Sequence, residues 1–501
     1  MQFSTAVRRG FRRGALRACW LVVLCAASLC ETLCVPLRES VSELTERQTR
    51  AYAEVLNMRP AAARTLLGAG TDAGTLLVQD CLSITELLVS QDAARFESTV
   101  EAQDQRLAAL ENQTGPLAEY AAAEIRLHQA AAQVVFGQEV RGAWSLRQSY
   151  GAMQRVTERY PNYLPARKTL GMLQFFIGSL PEGYRWFLRL LGLPGSVNTG
   201  LANLRRAASQ PNDFQLEARL VLALLEETYY KKPAAALALV ERLHREQPEN
   251  QLLVFLLISQ LKKQHRTDEA LAAYRARPTS PAYLPLPHLH HLAADLLLYQ
   301  GQYPASRREN ELFLQHYRGR HYLKDAYFKL YLACWLGGDV PAAGRYRARI
   351  GMAGRAVLEE DNYAQRFFDD PQPLDATLTR ARLQIDGGYY RPALATLATF
   401  RASTATPLRN QLEHLYRRAR ALQLLGQPDS ARVLYAQTIA RAGLAPYYYA
   451  PQSALQLGYL YQLEGEKNTA KAYFQKALSY PKHEYKNSTD TKAKLALAEL
   501  K

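Results

Sequence analysis

The chain has 501 residues, 48% hydrophobic and 22% charged, with 62 Lys plus Arg against 46 Asp plus Glu and a formal net charge of +16. That balance excludes a disordered chain, and a mean hydropathy of −0.26 argues against a multi-span helical membrane protein. At about 150 residues per domain, the length allows roughly three globular domains or one long repeat array.

The N-terminus is read first because it changes the charge count. Residues 1–30 carry Arg8, Arg9, Arg12, Arg13 and Arg17, no acid, and then the apolar run Ala18 to Leu29. A basic stretch, a dozen apolar residues and small residues near Ser28 and Cys30 form the layout of a cleaved secretory signal. A spanning helix needs about 20 apolar residues, more than this run provides. The competing readings are an uncleaved anchor, a twin-arginine leader at Arg8-Arg9-Gly10-Phe11, and a lipoprotein modified at Cys30, although Leu29 sits where a small residue belongs. All of them except the anchor release an exported chain into the periplasm or cell envelope, associated with the outer membrane or secreted.

Removing the leader lowers the charge to 16 − 5 = +11 and leaves Cys34, Cys81 and Cys334. Cys81 and Cys334 are too few for a disulfide framework and sit in apolar helical stretches, so they read as small buried hydrophobes. An exported basic protein meets anionic envelope polymers or acidic partners rather than nucleic acid.

Next in chain order, Ser42–Asn57 and Asp72–Ser90 read as amphipathic helices, the first stopped near Pro60, within an N-terminal helical region over 31–115. Residues 116–215 read as divergent helical repeats, with Tyr120–Phe136 and Ala143–Arg159 as a helix pair. Gly171–Leu204 carries six glycines and two prolines among Phe175, Phe176, Trp186 and Phe187, and reads as an irregular segment. Its run Trp186–Leu191 is apolar enough to touch a membrane interface, but such continuity points first to burial on both sides.

From 216 to 501 a repeat dominates. Leu457-Gly458-x-x-Tyr461 is followed by Ala470, Phe474, Ala477 and Pro481. This matches the tetratricopeptide repeat (TPR): small residues at Gly458 and Ala470 let two helices approach, and Leu457, Tyr461 and Phe474 fill the gap. The small residue opening each second helix recurs at Ala431, Ala393, Ala342, Ala305, Ala270 and Ala235. Each is preceded by a polar or Gly-containing turn. The 51-residue step from Ala342 to Ala393 exceeds the 34-residue unit by 17, which predicts one extra helix near Arg355 to Phe368. The fold class is therefore all-α, a solenoid of antiparallel helix pairs.

The mature chain also resembles an exported bacterial TPR family through Gly171–Leu204, Tyr322-Leu323-Lys324-Asp325-Ala326, Asp386-Gly387-Gly388-Tyr389-Tyr390 and Glu484-Tyr485-Lys486-Asn487-Ser488. Ser179-Leu180-Pro181, Leu191-Gly192, Gly195-Ser196 and Gly200-Leu201 are similar to eukaryotic TPR proteins of the inclusion-body-clearance type. The resemblance implies a binding scaffold and brings no catalytic residue or cofactor.

Catalytic and metal motifs are weak. His288, His290, His291 and Asp295 cluster, with His291 and Asp295 spaced i,i+4, but they open a helix after a Pro-rich turn and read as polar surface rather than metal ligands. Gly195-Ser196 lacks the nucleophile-elbow frame, and no phosphate-binding glycine loop occurs. Asp386 reads as holding its Asp-Gly-Gly turn.

Counting back from each marker alanine places a concave groove at Lys324, Tyr327, Tyr331 and Trp335, then Arg382 and Asp386. The next repeats add Glu413, Tyr416, Arg420 and Gln423, then Gln452, Tyr459 and Gln462. Tyr, Trp and Arg dominate binding hot spots, so the expected partner is a protein or peptide; about half of these residues are expected to pack between repeats instead. The alternative is an envelope-polymer scaffold that uses the basic surface without a groove ligand.

Overall fold

The computed structural model describes residues 43–180, 188, 192–230, 233–370 and 374–500. The leader at 1–30, and with it the cleavage site, lies outside these residues, as does most of Trp186–Leu191. Among the described residues there are helices and no strands. In order they are α1 (Glu46–Leu56), α2 (Pro60–Leu67), α3 (Ala73–Ser90), α4 (Phe96–Leu110), α5 (Pro116–Val135), α6 (Glu139–Arg159), α7 (Leu164–Ser179) and α8 (Val197–Ser209). There follow α9 (Gln215–Tyr230), α10 (Pro233–Glu246), α11 (Gln251–Lys263), α12 (Thr267–Ala276), α13 (Pro287–Tyr299), α14 (Tyr303–His316), α15 (Leu323–Leu336) and α16 (Val340–Met352). The C-terminal set is α17 (Glu359–Asp369), α18 (Ala376–Asp386), α19 (Tyr390–Ala398), α20 (Leu408–Leu424), α21 (Pro428–Ala442), α22 (Tyr449–Leu463), α23 (Lys467–Leu478) and α24 (Lys486–Glu499).

Local chemistry explains the boundaries. The Asp72 carboxylate accepts from Thr75 N–H at the start of α3, Asn250 caps α11, Asp339 caps α16 and Asp375 caps α18. Each satisfies a backbone donor that the helix itself leaves free. The turn glycines Gly301, Gly338, Gly388, Gly426 and Gly465 all have φ between 75° and 89°, a conformation a Cβ would penalise. The interrupted pattern near Pro60 is a helix start rather than only a stop, because Pro60 takes the first position of α2, where its missing N–H costs nothing.

The repeat joins as its spacing demands. A Cβ at Gly458 would lie 2.4 Å from the Phe474 ring, and Ala470 and Phe474 are fully buried. Burying Leu457 and Phe474 contributes roughly 1.5–3 kcal/mol each. Ala431, Ala393, Ala342 and Ala270 are likewise fully buried. Two markers slip by one residue. Ala235 is exposed and Ala236 is buried, and the half-buried Ala305 yields to Ser306, whose hydroxyl donates to Ala294 O at 2.7 Å. The extra helix is α17.

The glycine-punctuated segment departs from expectation. Gly171 and Gly178 lie inside α7 and Gly200 inside α8. A Cβ at Gly200 would meet Phe175 N at 2.5 Å, and one at Gly178 would meet Val197 N at 2.6 Å. These glycines therefore let two helices touch backbone to backbone, a role that composition alone reads as irregularity.

Two inserts pack on the array. Along one edge, α1 to α3 seat on the loops that precede the first helices of successive pairs. Leu44 N–H donates to Asp213 before α9, Asn250 before α11 donates to Asn57, Leu284 N–H before α13 donates to Met58 O at 2.7 Å, and Tyr317 before α15 donates to Gln91 at 2.8 Å. Helix α3 has the length and hydropathy of a membrane span, yet 78% of it is buried inside the molecule. The second insert crosses the pairs: α17 runs along α15 from its N-terminus, where Asp361 accepts from Tyr322 N–H at 2.7 Å, and α18 packs on the C-terminal ends of α13 and α15. Phe328 meets Tyr363 and Phe367 at 5.4 and 4.8 Å, Leu383 joins Leu298, Leu332 and Leu336, and His265 Nδ1 bonds Asp386 O at 2.8 Å.

Candidate functional site

The covered edge alters the groove. Lys324 is buried, and its Nζ donates to Ile350 O at 2.8 Å and Gly351 O at 3.3 Å. It satisfies open carbonyls at the end of α16 and is not a groove cation, a correction that follows from the carbonyls every helix C-terminus leaves open. Tyr331 stacks on Trp335 at 5.9 Å and meets Phe367 of α17 at 4.9 Å, while Tyr327 leans toward Tyr346 at 6.4 Å. The extra helix thus occupies part of the face assigned to a ligand.

The first helices of these middle repeats are joined instead by residues one turn away. Lys329 Nζ lies 2.6 Å from Asp295 and 2.5 Å from Asp325, Lys262 also bonds Asp295, and His291 Nε2 lies 3.0 Å from Asp325. Burial opposes ionisation of Asp295, but Lys262 and Lys329 hold its carboxyl below the ordinary range. His291 and Asp295 therefore spend their polar atoms inside the protein. His290 pairs with Glu309, and His288 sits among Phe313, Tyr317 and Tyr322. Among the described residues no three His, Cys, Asp or Glu side chains are placed to hold a metal.

The C-terminal repeats keep a polar face. On α20 the 3.6-residue period puts Arg409, Glu413, Arg417 and Arg420 along one stripe, while Leu412, Tyr416 and Ala419 turn inward. Arg417 donates to Glu413 at 3.1 Å and to the Tyr448 hydroxyl at 2.9 Å. Arg409 bridges Asp370 and Glu484 at 2.8 and 3.2 Å. Arg366 of α17 pairs with Glu359 and lies 5.0 Å over the Tyr485 ring, and Tyr485 meets Tyr448 edge to face at 5.4 Å. Arg382 of α18 donates to the Tyr363 hydroxyl, with its guanidinium 5.5 Å from that ring. Arginine and tyrosine alternate from α17 to the start of α24, with cations over the Tyr363 and Tyr485 rings.

Three of these arginines have carboxylate partners. Arg382 and Arg420 do not: among the described residues neither lies within ion-pair distance of an acid. Arg420 donates to Gln423 and Gln456, both at 3.0 Å. Both side chains are half-buried. Burial works against the Glu413 carboxylate, but Arg417 and then Arg382 keep its pKa below the usual value, so it stays ionised. The face presents two guanidiniums without ion-pair partners beside aromatic rings, planar donors able to bind carboxylates bidentately.

The remaining expected groove residues divide. Tyr416 is buried among Tyr435, Tyr448 and Tyr449 at 5.7–6.0 Å, so it packs the core and is not a ligand contact. Gln423 accepts from Tyr435, Gln452 donates to Thr489 at 2.9 Å, and Tyr459 meets Phe474 at 5.3 Å. Gln462 is half-buried at the end of α22, and Asp386 closes α18 with its carbonyl on His265. Arg382, Glu413 and Arg420 come together, joined by Tyr363, Arg366, Arg409, Arg417, Tyr448 and Tyr485. The triple tyrosine Tyr447-Tyr448-Tyr449 and the doublet Arg417-Arg418 were visible signals; the arrival of α17 beside α18 was not.

No family model matches this chain, and no curated protein matches it. Among solved structures, the crystal structure of the P58(IPK) TPR domain aligns over 84% of this chain and 98% of that one, at 10% identity and a TM-score of 0.21. The TPR-like assignment rests on the chain's own helix pairs and their buried small residues.

Proposed function

We propose that this chain is a non-catalytic TPR-like scaffold, exported to the cell envelope, that binds a protein segment bearing acidic groups. The observation that carries the reading is the pair of half-buried guanidiniums, Arg382 and Arg420, held by neutral oxygens beside tyrosines. A carboxylate arriving there replaces no internal ion pair, and tyrosine rings supply contact area at low entropic cost. The arginine-rich leader supports export.

The test is site-specific photo-crosslinking in the native cell. A crosslinker at Gln456, which faces Arg420 at 3.0 Å, is expected to give a discrete protein adduct, and one at Val433 (57% exposed) on the neighbouring α21 is not. Arg382→Glu should abolish the adduct at 456. Equal labelling at both positions, or an adduct indifferent to Arg382→Glu, overturns the groove. Retention on an anionic glycan that falls smoothly with salt and ignores these residues would favour the envelope-polymer scaffold. Mass spectrometry of the mature N-terminus checks the leader, with a start near residues 29–31 expected.

A further inference from the structure

A second, separate cleft lies where the N-terminal insert meets the middle of the array. It encloses about 220 Å³ between the start of α4, the α5–α6 turn, the α14–α15 loop and the segment before α17. That is below the roughly 300–1,000 Å³ of drug-sized pockets and suits a small molecule. Arg318, Arg320 and Arg355 reach it from two loops that are tied together by Arg355 N–H donating to Arg320 O at 3.0 Å. Among the described residues none of the three guanidiniums lies within ion-pair distance of an acid. Glu97 is the single carboxylate on the wall.

Two further features point to a ligand. His321 lines the cleft at 5% exposure, and its Nδ1 is buried without a hydrogen-bond partner. Buried polar atoms in folded proteins are nearly always paired, so an orphan beside three free arginines marks a place for an incoming acceptor or donor. The opposite wall is apolar and flat: Phe96 and Phe136 stack at 4.9 Å with 26° between their planes. Gln91 and Gln138 complete the rim.

We infer that this cleft is a binding site for a small organic anion, a phosphate or carboxylate carried on a flat apolar body. The anionic group engages Arg320, Arg355 and Arg318 and reaches His321, while the body lies against Phe96 and Phe136. Because the walls come from the α3–α4 segment and the α5–α6 turn on one side and the α14–α15 loop on the other, an occupied site braces the contact that Tyr317 and Gln91 already make. This site is independent of the C-terminal arginine–tyrosine face.

The experiment is calorimetric titration of the full chain with phenyl phosphate, benzoate, inorganic phosphate and phenol. Saturable binding of phenyl phosphate or benzoate is expected, with inorganic phosphate at least tenfold weaker and phenol not bound. Arg320→Ala with Arg355→Ala, both at exposed positions, should weaken the aryl anion at least tenfold. Phe136→Leu should remove the preference for the aryl ligand over inorganic phosphate while sparing the latter. No saturable binding of either aryl anion, or binding unchanged in the double variant, overturns the site. Equal affinity for phenol overturns the anionic part, and equal affinity for inorganic phosphate overturns the aromatic wall.

Discussion

The N-terminal and C-terminal halves use charged residues in opposite ways. Between α5, α7 and α9, Lys168 is sealed against Glu124 and Glu217 at 3.2 and 2.9 Å, with Tyr52 and Thr169 occupying the remaining carboxylate oxygens. Next to it Asp80 holds His128 at 2.6 Å and Arg106 at 3.0 Å. Every carboxylate oxygen in this network is taken from within. Near the C-terminus the same residue types are half-buried, and Arg382 and Arg420 are left with neutral partners. Charge that closes on itself orients helices; charge left over on a face awaits a partner. The same contrast separates structural polar groups from binding groups in any helical array whose units look alike in sequence.

The comparison breaks most directly at Lys168. Lys168→Met leaves two buried carboxylates facing each other and is expected to cost about 3–5 kcal/mol in urea unfolding. Adding Glu124→Gln and Glu217→Gln should recover much of that loss. A cost below about 1 kcal/mol for the single variant would mean the network is solvated and no different from the C-terminal face.

A slightly smaller effect is expected with pH at His321. Burial, and then the nearby Arg355, lower its pKa from 6.5 to about 4. The ring is neutral in the folded chain, while the unfolded chain takes up a proton below 6.5. Stability from this group is therefore complete above pH 6.5 and lost as pH falls toward 4, by about 3 kcal/mol. His321→Gln should flatten the stability profile across that window relative to wild type. An identical slope in both proteins would show that the histidine is hydrated.

The edge contact of the C-terminal block is tested at Gly388. Its φ is +88°, and a Cβ would fall 2.1 Å from His265 O, so Gly388→Ala should cost about 1–3 kcal/mol and loosen the α18–α19 turn from the α11–α12 turn. Amide hydrogen exchange should rise at both turns together. Protection changing at only one would show that the two are not docked.

The smallest effect on stability sharpens the contrast. Arg382→Gln with Arg420→Gln should change unfolding by no more than about 1 kcal/mol, because neither half-buried guanidinium has an ion-pair partner and no new charge is set beside Glu413. The same variant should lose its crosslinked partner. Loss of folding instead would place these arginines with Lys168 among the structural charges.

Several features were legible in the residues because they are local. The 3.6-residue period, the turn glycines and the Gly458, Ala470 and Phe474 spacing each depend on neighbours within one helix pair, and they led to the right repeat. The marker falls at Ala236 and Ser306 rather than at Ala235 and Ala305, where adjacent small residues make the phase ambiguous and only burial distinguishes them. Glycines that bring α7 and α8 into backbone contact look in composition like breaks in structure. Lys324 and Tyr416 share the groove register without being ligand contacts, since a repeat register names a direction on a helix and not what stands opposite.

The amino-acid pattern by itself determined that the chain is an all-α array of helix pairs, where each pair meets the next, and that a helix is inserted near Arg355 to Phe368. The tertiary structure decided which faces of that array are used. Packing of α18 on the α11–α12 turn, and of the first insert along the loops before the first helices, joins residues more than a hundred positions apart. Such contacts leave no periodic trace, because they depend on how many residues separate two edges of a superhelix and not on the repeat within it.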